Sequence, residues 1–91
     1  MNLDDKFLIP PNVMAREVGE ETVILDLASG TYFGLDSVGA RVWQLVGEGR
    51  SLGDICDVLL QEYEVDRATL VADVVRLAAD LSARGLVSAT G

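Results

Sequence analysis

Residues 22–38 read TVILDLASGTYFGLDSV and contain the change of hydrophobic period that decides the fold. Up to Leu35, apolar residues recur with the period of two that is typical of β-strands. Beyond Asp36, they recur with the spacing of one face of an α-helix. The sequence therefore predicts strands before residue 36 and helices after it.

Three strands are predicted, separated by short turns that contain glycine. Their ranges are 13–18, 22–27 and 31–35. In the middle strand, Val23, Leu25 and Leu27 share one face, while Thr22 and Asp26 share the other. Because the connections are short, we expect the strands to form an antiparallel meander.

Three helices are predicted to follow, each preceded by a residue that can cap its first turn. The capping residues are Asp36 or Ser37, then Ser51, then Asp66. Arg84-Gly85-Leu86 provides the glycine and the following apolar residue of a Schellman end for the third helix. The predicted fold is α+β and winged-helix-like: a three-stranded antiparallel β-meander followed by three α-helices.

A length of 91 residues allows one domain. Residues 1–12 include two adjacent prolines and show no clear period, so we expect an N-terminal arm followed by a folded domain at 13–91. Residues 1–10 lack the basic and long apolar regions of a secretion signal. A cytoplasmic location is therefore predicted.

The charge and the absence of histidine exclude several classes of function. A net charge of −8 disfavours nucleic acid and anionic membranes as partners. With no histidine and a single cysteine, Cys56, the chain lacks the usual zinc sites, disulfides and Ser-His or Cys-His catalysis. We therefore expect a binding protein with no catalytic residues, no metal and no cofactor.

The third helix is apolar over more than half of its circumference. Leu70, Val74, Leu77 and Leu81 form a narrow stripe that is expected to face the core. Beside this stripe lies a shoulder formed by Val71, Val75 and Ala78. The shoulder is covered by the other helices or forms a groove for a partner, and the sequence leaves both interpretations open.

The third strand, Thr31 to Leu35, contains neither the lysine nor the proline that commonly protects an edge strand. An extended peptide could add to such an edge by β-augmentation and place alternate side chains against the third helix. In the alternative interpretation, the N-terminal arm covers this edge.

Other features have simpler explanations. Cys56 and Trp43 are expected to pack in the core. Asp36-Ser37 before a helix is similar to the attachment site of acidic phosphopantetheine carriers, but such carriers have a helix before this serine, where strands are predicted here. An acidic module that tethers or blocks an enzyme is a further alternative.

Five short stretches occur in a characteristic order and spacing. They are GTYFGLD at 30–36, GARVW at 39–43, residues 52–60, Asp73-Val74 and LSARGL at 81–86. Together they resemble the PqqD family over residues 13–87. The resemblance implies a non-catalytic recognition element that binds the leader of a ribosomally synthesised precursor peptide and delivers it to a modifying enzyme.

Among the family's members, the chain is most similar to stand-alone proteins of lasso-peptide biosynthesis, whose partner is a cysteine-protease-like leader peptidase. Members that partner a radical-SAM enzyme in quinone-cofactor synthesis are the alternative. The resemblance places the leader on the third strand and third helix. The implied binding residues are Thr31, Tyr32, Phe33, Gly34, Leu35, Val71, Asp73, Val75 and Ala78.

Overall fold

The computed structural model describes residues 2–90. Its elements are β1 (Phe7–Leu8), β2 (Val13–Val18), β3 (Glu21–Asp26), β4 (Tyr32–Leu35), α1 (Ser37–Gly47), α2 (Leu52–Glu62), α3 (Arg67–Ala83) and β5 (Ser88–Ala89). The strands β2, β3 and β4 form an antiparallel sheet in that order. The predicted α+β fold, a three-stranded meander followed by three helices, is confirmed.

The face of the sheet that carries Ile24 packs against the helices, and the face that carries Val23 and Leu25 is turned away from them. Ile24 is fully buried, whereas Leu27 is 59% exposed just after β3. Both faces of β3 carry apolar residues, so a period of two alone could not select the buried face. Phe33 pairs in register with Ile24 and lies on the same inner face, towards the helices.

The predicted helix caps are present. Asp36 Oδ1 accepts a hydrogen bond from Gly39 N at 2.8 Å, and Ser51 and Asp66 cap α2 and α3 in the same way. At the end of α3, Leu86 N donates to Leu81 O at 2.9 Å, and the φ of Gly85 is +73°. This is the predicted Schellman motif.

Residues expected to form an N-terminal arm pack against the helices and β5. The strand β1 pairs antiparallel with β5, and Phe7 is 3% exposed. The backbone oxygen of Leu3 accepts a hydrogen bond from Gly53 N at 2.8 Å, at the start of α2. Within residues 2–90, this segment therefore lies along β5 and α2 rather than along β4.

The core lies between the sheet and the helices, with Cys56 fully buried and Trp43 8% exposed, as expected. Burial raises the pKa of the Cys56 thiol, which disfavours a reactive thiolate. Three members of the predicted α3 stripe are buried. The fourth, Leu77, is only half-buried, because α3 turns this residue towards a groove beside β4.

Candidate functional site

A groove of about 490 Å³ runs between β4 and α3. Buried side chains form its apolar floor: Leu35, Val42, Leu70 and Val74. The half-buried side chains of Phe33, Val38 and Leu77 line it above this floor. The groove is therefore an apolar surface that a bound side chain could remove from water.

Paired charges on α3 border the groove. Asp73 binds Arg76 at 2.6 Å, and Asp80 binds Arg84 at 3.3 Å. The guanidinium of Arg84 lies 4.9 Å from the centre of the Phe33 ring. Since each carboxylate has an arginine partner on the same helix, these two pairs add little net charge to the rim.

One edge of β4 is unpaired. Asp26 N donates to Thr31 O at 2.9 Å, so Thr31 bonds towards β3. Hydrogen-bonding direction alternates along a strand, and therefore Phe33 and Leu35 also bond towards β3. The N–H and C=O groups of Tyr32 and Gly34 point the other way, where no strand of residues 2–90 pairs with them.

A hydrogen-bonded turn holds the start of β4. The Asp26 carboxylate accepts hydrogen bonds from Asn12 Nδ2 at 2.6 Å, Ala28 N at 3.0 Å and Ser29 Oγ at 3.0 Å. These hydrogen bonds lower the pKa of Asp26 below its ordinary value of 3.8, and the bond from Asn12 has the largest effect. The ionised carboxylate thus ties the β3–β4 turn to the segment before β2.

The lowered pKa predicts a pH-dependent contribution to stability. A carboxyl group whose pKa is lower when folded stabilises the protein above its unfolded pKa, and this stabilisation disappears as the pH falls through the folded value. We expect Asp26→Asn to reduce the free energy of unfolding near neutral pH, with a difference from the unsubstituted protein that narrows below pH 3.8. Urea unfolding of both proteins across this pH range measures the difference in free energy of unfolding. A difference that does not change with pH would contradict the stabilising role of the ionised Asp26 carboxylate.

Several of the residues predicted from the sequence meet at the groove and others do not. Phe33, Gly34, Leu35 and Asp73 line it. Tyr32 lies on the outer sheet face at 71% exposure, and Thr31 is exposed just before β4. On α3, Val71 and Val75 are half-buried against the core and outside the lining, while Ala78 is buried.

The groove thus lies on the side of α3 opposite to the shoulder formed by Val71, Val75 and Ala78. Its lining includes Arg76, Leu77 and Asp80, which were not among the binding residues predicted from the sequence. A helix that is apolar over more than half of its circumference does not reveal which side its neighbouring strand covers. The signal that could have located the groove is the position of Leu77, which is the apolar residue next to the charged side chains at 73, 76 and 80. An open groove brings an apolar surface and solvated charges together in this way.

Comparison with known proteins defines the family. The match to "Coenzyme PQQ synthesis protein D (PqqD)" covers residues 21–87. The chain belongs to the PqqD family. The resemblance deduced from the short stretches is confirmed.

Two solved structures are similar to this PqqD-family chain over most of its length. One, described as "TbiB1 in Complex with the TbiA(beta) Leader Peptide", is 39% identical with a TM-score of 0.81, and the match covers 88% of this chain and 93% of that one. The other, "Lasso peptide synthetase B1 complexed with the leader peptide", is 29% identical with a TM-score of 0.83, covering 91% and 98%.

A curated relative from Bradyrhizobium diazoefficiens, named "PqqA binding protein", is 32% identical over 53 residues, or 58% of this chain. The chain spans about half the length of that relative, 52%. In the part described, residues 2–90, no helix has the length and hydrophobicity needed to cross a membrane. The same residues contain no cluster of three or more side chains suited to hold a metal ion.

Proposed function

We propose that this protein is a non-catalytic recognition protein that binds the leader of a ribosomally synthesised precursor peptide, of the lasso class, and delivers it to a leader peptidase. The observation that carries the proposal is the unpaired edge of β4 beside the apolar groove. The two similar structures described as leader-peptide complexes support it, since both match nearly the whole domain.

In the proposed complex, the leader forms a fourth strand of the sheet by β-augmentation. The N–H and C=O groups of Tyr32 and Gly34 supply the main-chain bonds. Leader side chains beside Phe33 and Leu35 point to the inner face of the sheet and enter the groove. There they contact Leu77 on α3, which replaces Val71, Val75 and Ala78 as the proposed helical contact.

The chemistry of the chain supports recognition without catalysis. The sequence has no histidine, and its one thiol, Cys56, is buried with a raised pKa. Ser37, the attachment residue in the carrier alternative, begins α1 directly after β4 rather than after a helix. Cleavage of the bound leader is therefore assigned to a separate partner, and the resemblance to the stand-alone lasso-peptide proteins implies a cysteine-protease-like peptidase.

A second candidate function is binding of the precursor peptide in quinone-cofactor synthesis and its delivery to a radical-SAM enzyme. The name of the Bradyrhizobium relative favours it. The match to the lasso peptide synthetase B1 structure is the more extensive one, covering 91% of this chain at 29% identity, whereas the match to the Bradyrhizobium relative covers 58% at 32%. We therefore give priority to the lasso-peptide role.

Amide hydrogen exchange, followed by NMR residue by residue, tests the binding mode. The probes are leader peptides of short precursor genes near the gene of this protein, and peptides selected on the protein from a displayed random library. We expect the Tyr32 and Gly34 amides to exchange quickly in the free protein and to become protected on binding, because both N–H groups gain partners.

The Phe33 and Leu35 amides serve as an internal control, since they already bond to β3 and should be protected in both states. Protection that appears elsewhere, with the Tyr32 and Gly34 amides unchanged, would overturn binding at this edge.

A further inference from the structure

The outer face of the sheet, turned away from the helices, is unusually apolar for an exposed surface. Met14, Leu25 and Tyr32 form one cross-strand row, and Arg16, Val23 and Gly34 form the next. Tyr32 is 71% exposed and Met14 is 40% exposed. A shallow depression of about 330 Å³ on this face is lined by the side chains of Met14, Arg16, Val18, Val23, Leu25 and Tyr32, and Gly34 adjoins it as the register partner of Val23.

Gly34 interrupts this face at the unpaired edge of β4. A Cβ atom placed on Gly34 would meet no heavy atom within 4 Å, and the φ of this residue is not positive. Neither packing within the chain nor backbone conformation therefore requires glycine. A glycine within a strand is unfavourable, and it often marks a place where a ligand approaches closely.

We infer that Gly34 opens a second side-chain subsite, which takes an aromatic side chain of the bound peptide on the outer face of the sheet. The inference rests on the proposed addition of a peptide strand to β4. Neighbouring residues of paired strands point to the same face whether the strands run parallel or antiparallel. The peptide residue beside Gly34 therefore faces outwards, while the residues before and after it face the groove.

The depression suits an aromatic ring. With no side chain at Gly34, the ring can lie across this residue and reach Val23, the next member of the row. Tyr32 borders the same space, two residues earlier on β4. Arg16, beside Val23, has no ion-pair partner among residues 2–90, so its guanidinium is available to the face of the ring.

Recognition on both faces gives the peptide a defined pattern. Apolar side chains at alternate positions fill the groove, and one aromatic residue between them covers Gly34. If the protein contacted the peptide side chains only in the groove, any residue would be tolerated at that intermediate position. The subsite therefore sets specificity beyond the groove.

Parallel selection from a displayed random peptide library tests the subsite, with the unsubstituted protein and Gly34→Val as the two targets. The valine side chain points into open space on the outer face and keeps the backbone N–H. We expect aromatic residues to be enriched at one position between two apolar ones in peptides selected by the unsubstituted protein. With Gly34→Val, this enrichment should disappear while the flanking apolar positions remain.

Titrations with one selected peptide provide the quantitative control. Gly34→Val should weaken its binding by about tenfold, because the valine side chain fills the space over residue 34 and keeps the ring from contacting Val23. The loss should be much smaller for the same peptide with alanine in place of the aromatic residue. Val23→Ala shortens the side chain on β3 that the ring contacts and leaves β4 unchanged. It should also weaken the binding of the aromatic peptide only, and it replaces Gly34→Val as the test if that variant does not fold.

The results separate the inference from the proposed function. Identical consensus sequences for the two targets, or equal losses for the aromatic and alanine peptides, would overturn the outer subsite while leaving binding at the β4 edge in place. Failure of selected peptides to protect the Tyr32 and Gly34 amides would overturn both.

Discussion

Replacing Gly34 with proline is expected to weaken leader binding by about ten- to hundredfold while the domain remains folded. The N–H of Gly34 points away from β3, so its removal breaks no hydrogen bond of the sheet. Proline is tolerated at such a position on an edge strand. In the complex, the peptide carbonyl opposite Gly34 would lose its donor, and an unsatisfied buried acceptor costs about 1–3 kcal/mol.

Two further variants isolate the cause. Gly34→Ala adds the same Cβ atom but keeps the N–H, so it should bind far better than Gly34→Pro. Phe33→Pro removes an N–H that bonds to β3, and it should instead lower the melting temperature sharply. Binding is measured by fluorescence polarisation with a labelled selected peptide. Equal affinities for Gly34→Pro and Gly34→Ala would contradict main-chain recognition at this edge.

The features that sequence reasoning predicted correctly are those with local causes. The change of period near Leu35 separates strands from helices, and Asp36, Ser51 and Asp66 cap the helices because each side chain reaches a nearby backbone N–H. The unpaired edge of β4 also follows from local signals. A meander necessarily ends in an edge strand, and this one contains Gly34 with no protective charge.

The features that were missed depend on contacts between distant segments. The β1–β5 ribbon joins the two ends of the described chain through strands of two residues each, which are too short to show a period. The inner face of β3 could not be deduced because both faces of this strand carry apolar residues: Ile24 lies on one face, and Val23 and Leu25 lie on the other. Likewise, the rotation of α3 about its axis depends on its packing against α2.

The rotation of α3 matters most for the proposed function, because it determines which helical side chains line the groove. Leu77 lines the groove and Val75 does not, although both are half-buried on the same helix. These two residues therefore form a matched pair. A carboxylate placed at either position adds the same charge to α3 and removes a partly buried apolar side chain.

Leu77→Asp is expected to weaken leader binding by about a hundredfold, whereas Val75→Asp should change it by no more than about twofold. A bound peptide would bury the carboxylate at position 77 against apolar side chains without a partner. At position 75, the carboxylate lies outside the groove and remains beside solvent in the complex. Both variants should lose stability, since both residues pack partly against the core.

Melting curves and fluorescence-polarisation titrations, recorded on the same preparations, separate the two effects. If an aspartate prevents folding, Leu77→Ala and Val75→Ala provide the milder pair, with an expected loss of about tenfold in affinity for the first alone. Weakened binding for Val75→Asp, with normal binding for Leu77→Asp, would place the peptide on the shoulder formed by Val71, Val75 and Ala78. Normal affinities for both variants would remove α3 from the binding site, because a peptide on either side of this helix would distinguish the two positions.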